Sequence, residues 1–259
     1  MLIHWNFDPV LVAFGPLSIR WYGFLFVAAF FVGQVLLARM FKAEAVPPYN
    51  ADRLLLYALV GTVVGARLAH CLLYDPQYYL AHPLATLRIW EGGLASHGGA
   101  VGMLFGLWLG CRATRPRLPF LWLLDRGTVP AAFGAVLVRV ANFLNSEILG
   151  RPTSSLWGVV FESVDQKPRH PVQLYEAAAY FIIGHALLAI YRHFNRRPPS
   201  GLLFGLFMLL VFSARIAIEF FKVPQAAYEA AQLFSVGQYL SLPFLVLGAA
   251  YILWSRREA

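Results

Sequence analysis

Charge is what this chain has least of. Asp, Glu, Lys and Arg supply 13% of its 259 residues, where a soluble domain carries about 25%. That shortage excludes a water-facing surface over most of the molecule. Acids are the scarcer sign, 13 against 21 Lys and Arg, for a formal net charge of +8. Cysteine is nearly missing. Cys71 and Cys111 stand in no metal-spacing motif. The topology set out below puts them at opposite membrane faces, so no disulfide is expected. No His-Glu-x-x-His helix, Gly-x-Ser-x-Gly elbow or nucleotide loop is present. His97 and His170 have no Cys or carboxylate at metal-ligand spacing. No metal or cofactor is therefore expected. Aromatic-basic RNA motifs and recognition-helix patterns are absent too, so nucleic acid is not an expected partner. The first apolar run has no basic segment before it and no small-residue cleavage site after it. It is expected to be a retained helix.

What the chain has is apolar length. Hydrophobic residues make up 59% of it, and mean hydropathy is +0.61. A span of the bilayer needs about 20 residues. Runs of that kind fall at 17–39, 54–74, 97–111, 120–143, 173–191, 201–221 and 237–254. The third is short, and its start at Ser96-His97-Gly98-Gly99 has an interfacial or re-entrant character. The expected fold is an all-α polytopic membrane helix bundle of about seven transmembrane helices, one integral membrane domain over 1–259. Two connections, 75–96 and 146–170, are long and rich in Pro and Gly. They read as loops or short interfacial helices. Seven Trp and 12 Tyr suit interfacial belts.

Lys and Arg accumulate on the cytoplasmic side of membrane proteins. One set of connections holds Arg39, Lys42, Arg53, Arg112, Arg115, Arg117, Arg192, Arg196, Arg197, Arg256 and Arg257. The other holds Arg88, Arg151, Lys167, Arg169 and Lys222. The first set is expected inside, so the N-terminus faces out and the C-terminus faces the cytoplasm. This topology sends polar residues of six helices toward the outer leaflet: Tyr22, Arg67 with His70, His97, Arg139 to Asn145, Tyr175 with Glu176, and Arg215 with Glu219. Asp125 and Arg126 alone fall at the inner end, where snorkelling accounts for them.

Intramembrane charge is costly and marks sites or pathways. The densest cluster is Arg139-Val-Ala-Asn142-Phe-Leu-Asn145-Ser-Glu147-Ile-Leu-Gly150-Arg151. Arg139 and Asn142 share a helix face, as do Arg215 and Glu219. The second pair could simply neutralise itself. Arg67 lies beside Gly61-x-x-x-Gly65, a close-packing pattern, so it could be structural. Arginine binds phosphate through a planar fork of donors. Arginines at outer-leaflet depth therefore point to an anionic lipid headgroup. His97 suits proton transfer near neutral pH; a helix-start histidine bonded to backbone is the plainer alternative. His170, between Arg169 and Pro171, could equally be a turn residue.

The segment from Arg139 to Gly150 closely resembles the signature of the bacterial prolipoprotein diacylglyceryl transferases. So do Arg20-Trp21-Tyr22-Gly23, Gly65-Ala66-Arg67, His97-Gly98-Gly99, Arg169-His170-Pro171-x-Gln173-Leu174-Tyr175-Glu176, Arg215-x-x-x-Glu219-Phe220-Phe221 and Gly237-Gln238. Two positions depart from it: Val138 where the family usually has Gly, and Val211 where it often has Tyr. The resemblance implies transfer of a diacylglyceryl group from phosphatidylglycerol to the lipobox cysteine of a preprolipoprotein. It also implies residence in the bacterial inner membrane, with the site at the periplasmic leaflet. On that basis Arg139 and Arg215 hold the phosphate and His97 is the base. Tyr22, Arg67, Asn142, Asn145, Glu147, Gly150, His170 and Glu219 bind or orient the substrate. An anionic-lipid transporter or scramblase, or a silent lipid-binding scaffold, would use the same arginines.

Overall fold

A computed structural model describes residues 3–15, 17–223 and 234–257. It has a helix at each of the apolar runs. These are α1 (Trp21–Ala43), α2 (Tyr49–Leu73), α4 (Ser96–Ala113), α5 (Phe120–Leu144), α6 (Val172–His193), α7 (Leu202–Glu219) and α8 (Val236–Ser255). The short helix α3 (Pro76–Ala81) lies in the connection between α2 and α4. Six helices among the described residues, α4 not included, are long and apolar enough to cross a membrane. Large apolar side chains face outward along them: Phe31, Leu72, Ile182 and Val246 are all exposed. Such a surface belongs in lipid, and the chain is a multi-pass membrane protein.

The chain divides into two compact units, Met1–Leu36 with Leu124–Ala259, and Leu37–Leu123. In the second unit, α2 and α4 meet along a stripe of glycine. A Cβ at Gly61 or Gly65 would strike the backbone of Gly102 and Gly98, and one at Gly102 would strike the Gly61 carbonyl. Backbones this close require hydrogen as the side chain. The expected Gly61-x-x-x-Gly65 contact is thus present. At the opposite end of this unit, Leu37, Phe41, Leu54, Cys111, Leu118 and Leu123 form an apolar core. Cys71 and Cys111 are free and buried.

In the first unit, small residues again set the contacts. Gly33 and Ala29 of α1 lie against Pro130 and Gly134 of α5. Gly184 of α6 meets Phe133, and Gly205 and Gly248 bring the α7 and α8 backbones together. The start of α7 corrects the snorkelling expectation for Asp125. That carboxylate is fully buried. Its Oδ2 accepts the Gly201 N–H at 2.7 Å and its Oδ1 the Phe204 N–H at 2.9 Å. It therefore caps α7 from another helix, meeting orphan donors at the positive end of the helix dipole. Ser235 and Gln238 close a capping box at the start of α8.

Strands appear where loops or interfacial helices were expected. β1 (Ile3–Trp5) pairs in parallel with β4 (Val159–Phe161), and β4 pairs antiparallel with β5 (Pro168–Arg169). β2 (Val10–Phe14) and β3 (Leu17–Arg20) form a hairpin. α1 accordingly begins at Trp21 and not at residue 17, because Leu17–Arg20 is in that hairpin. Val159-Val160-Phe161 has the β-branched and aromatic character of a strand, but its partner lies far away in sequence. The sheet covers the end of α5: Phe143, Val159 and Phe161 are buried together against Trp5 and Leu149. The 75–96 connection holds α3 and two 3-10 turns, Pro83–Leu87 and Ile89–Glu91.

Candidate functional site

Beyond α5 the chain turns sharply. Ser146 and Ile148 both take positive φ, 53° each, a conformation uncommon for residues with a Cβ. The turn sends Glu147 back over the helix end. Its Oε2 accepts from Asn142 Nδ2 at 3.2 Å and its Oε1 from Asn145 Nδ2 at 3.0 Å. Gln173 of α6, fully buried, donates to the Glu147 carbonyl at 2.5 Å. Gly150 follows in a tight slot. A Cβ there would strike the His170 carbonyl, and Gly150 also bridges to Lys222. Arg151 N–H donates to the Phe221 carbonyl at 2.7 Å, and its Nε to the Lys222 carbonyl at 2.9 Å. The segment ties the ends of α5 and α7 to the start of α6.

Those three helix ends hold the buried charges. Arg139 Nη1 donates to Asn142 Oδ1 at 3.3 Å. Its Nε lies 3.0 Å from Glu176 Oε2. Glu176 is fully buried and takes Lys222 Nζ on its other oxygen at 3.0 Å. Lys222 Nζ is also 3.0 Å from Glu219 Oε2. Glu219 backs onto Gly237 of α8, where a Cβ would meet the carboxylate. Arg215 is different. Its Nε is buried and has no hydrogen-bond partner among the described residues. Self-neutralisation of Arg215 and Glu219 does not occur, because Glu219 turns to Lys222. The Tyr180 hydroxyl lies within electrostatic reach of Arg139, Arg215 and Glu176.

The structure thus brings together Arg139, Asn142, Asn145, Glu147 and Gly150, and on the same helix ends Glu219 and His170. His170 Nδ1 pairs with the Tyr175 hydroxyl at 3.1 Å, and its ring packs edge-on to Phe221. Tyr22, in the same unit, stacks on Phe26. Outside the helices, the Arg169 guanidinium grips Asp165 through two bonds, 2.5 and 3.2 Å. It holds that carboxyl below the usual range.

In the second unit, His97 lies exposed in the first turn of α4. Arg67 departs from its expected substrate role. It is 4% exposed, and its guanidinium donates to the carbonyls of Thr86, Gly92, Gly93, Ala85 and Arg88. An arginine has five N–H donors, and each has a carbonyl here. Arg67 staples the 3-10 segment to α2 and keeps no donor for a phosphate.

The sequence placed Glu176 among the converging polar groups without a role, and it left Lys222, Gln173 and Tyr180 out of the cluster. One signal was available: Arg139 has no acid at three or four residues on its own helix, so a partner had to come from another. The run Gln173-Leu174-Tyr175-Glu176 at the start of α6 held it.

Comparison with known proteins shows the family. The family model for prolipoprotein diacylglyceryl transferase matches residues 9–254. The phosphatidylglycerol–prolipoprotein diacylglyceryl transferase of Tolumonas auensis is 52% identical, over 99% of both chains. The protein of that name from Chloroherpeton thalassium is 44% identical, over 99% of this chain and 96% of its own. That of Cupriavidus pinatubonensis is 38% identical, over 100% and 95%. The chain belongs to the prolipoprotein diacylglyceryl transferase family.

Proposed function

We propose that the protein transfers the diacylglyceryl group of phosphatidylglycerol to the lipobox cysteine of a preprolipoprotein, the first step of lipoprotein maturation. The thiolate is the attacking species, and a free thiol has a pKa of about 8.5, so a base assists. Sulfur attacks the glyceryl carbon that bears the phosphate ester. The C–S bond forms, the C–O bond breaks, and glycerol phosphate leaves with the electron pair. The thiol proton passes to the base.

The observation that carries this reading is Arg215, a buried guanidinium nitrogen with no partner among the described residues. Burying such a donor unpaired is unfavourable, and a phosphate oxygen is the acceptor that suits a guanidinium. Arg139, fixed on one side by Glu176 and Asn142, supplies the second arm of the clamp. Together they stabilise charge developing on the departing phosphate. Asn142, Asn145 and Glu147 form the bonded wall beside Arg139, and Gly150 keeps that wall close to His170. Glu219 and Tyr22 complete the headgroup surroundings. His97 is the base on its chemistry: an exposed imidazole at a helix start. No metal or cofactor takes part in the displacement as written.

The whole chain acts as one integral membrane domain of seven spans, with its N-terminus outside and its C-terminus cytoplasmic. It resides in the bacterial inner membrane and works at the periplasmic leaflet. The uneven Lys and Arg distribution supports that orientation. The test uses purified protein in phosphatidylglycerol vesicles with a lipobox peptide. Mass spectrometry is expected to find a diacylglyceryl adduct on the cysteine. Folded protein that gives no adduct, yet moves labelled phosphatidylglycerol between leaflets, would establish the transporter reading in its place.

A further inference from the structure

Glu176 is the one fully buried carboxylate in the cluster, and it sits between two cations from different elements. Arg139 Nε of α5 is 3.0 Å from one oxygen, and Lys222 Nζ, just past α7, is 3.0 Å from the other. Burying three charges carries a large desolvation cost, and an apolar trio of similar volume often packs as well or better. Packing alone therefore does not explain this arrangement.

The way Arg139 is held is informative. Arginine–carboxylate pairs are frequently two-pronged. Here the carboxylate approaches Nε, and Asn142 Oδ1 takes Nη1 at 3.3 Å. The Tyr180 hydroxyl hydrogen-bonds the same side chain. The guanidinium is thus oriented by an ion contact at Nε, the Asn142 amide and the Tyr180 hydroxyl. Lys222 continues the chain to Glu219. Glu219 is thereby occupied, and the buried Arg215 Nε, one helical turn away, has no hydrogen-bond partner among the described residues.

We propose that Glu176 is a positioning residue for the transfer reaction. It holds Arg139 by its Nε edge and Lys222 by its ammonium, so that the terminal edge of Arg139 meets the lipid phosphate in the transition state. The proposal rests on the transferase reading above.

Steady-state transfer to a lipobox peptide, with phosphatidylglycerol varied, tests it in wild type, Glu176→Gln and Glu176→Asp. Gln keeps the shape and loses the charge. Asp keeps the charge but is one methylene too short to span both cations. Small misplacements of a clamping group cost up to about a hundredfold in rate. The expected result is a fall in kcat of about ten- to a hundredfold in both variants. KM for phosphatidylglycerol is expected to stay within about threefold, because the three cations that attract the anion remain. A merely structural role lowers the yield of folded protein with kcat per folded molecule unchanged, and that result overturns the proposal. If Glu176→Gln does not fold, wild-type kcat in Glu176→Asp overturns it as well. A raised KM at unchanged kcat does the same. An inactive wild type fells the transferase reading itself, whereas an active wild type with indifferent Glu176 variants fells this proposal alone.

Discussion

Arg139 and Arg215 are both placed in the phosphate clamp, yet the structure gives them opposite effects on stability. Replacing each by Met, which is unbranched and apolar, separates them. Arg215 carries a buried Nε with no partner among the described residues. An unsatisfied buried donor costs about 1–3 kcal/mol. Arg215→Met removes that cost and is expected to stabilise the unliganded protein by about as much. For a chain of this size that raises Tm by roughly 2–12 °C. Arg139→Met does the reverse. It strips Glu176, 0% exposed, of one of its two cations. Breaking a buried pair from one side costs about 3–5 kcal/mol. Lys222 still holds the other oxygen, so the lower end applies, a Tm fall of roughly 6–12 °C. Thermal unfolding of the detergent-solubilised variants, followed by tryptophan fluorescence, measures both. Each variant should also lose transfer activity. The reasoning is refuted if Arg215→Met melts below wild type by as much as Arg139→Met does, since Arg215 would then be a structural ion-pair member.

Other perturbations probe the scaffold. Asp125→Ala leaves the Gly201 and Phe204 N–H groups without their acceptor and should destabilise by about 2–4 kcal/mol. The same melt reads it, with turnover per folded molecule unchanged. Gly102→Leu drives a side chain into the Gly61 backbone and should cost at least about 3 kcal/mol, seen as lost monodisperse protein on size exclusion. Gly127→Ala, inside α5 with nothing within 4 Å of its Cβ, should stabilise by about 0.5–1 kcal/mol. Arg169 lowers the Asp165 pKa. That contribution is therefore present above the unfolded carboxylate value of about 3.9 and is lost as pH falls through the lower folded value. Amide exchange in 159–169 should rise at the acid end in wild type, and Asp165→Asn should remove that pH dependence.

Helix positions were legible because lipid makes the pattern blunt. Long apolar runs, the Gly61–Gly65 spacing and the shared face of Arg139 and Asn142 are all local signals. What escaped was non-local. Glu176 completes Arg139 from another helix, Lys222 completes Glu176 from a third, and no spacing rule connects them. Asp125 looked like a snorkelling residue because its role, capping α7, depends on a contact 76 residues away. Val159–Phe161 looked like loop because its partner strand is at the N-terminus. Arg67 showed the opposite error. An arginine beside a glycine stripe could serve ligand or backbone, and only the five carbonyls around it decide for backbone.

The central claim is that Arg215, whose buried Nε has no partner among the described residues, grips the lipid phosphate as it departs. Its most direct test is the initial rate of diacylglyceryl transfer by Arg215→Ala against wild type, with phosphatidylglycerol saturating and folded protein quantified. Losing a preorganised donor to developing charge typically costs a factor of about 10²–10³. The account predicts a fall of at least about a hundredfold. A rate within about threefold of wild type would contradict it.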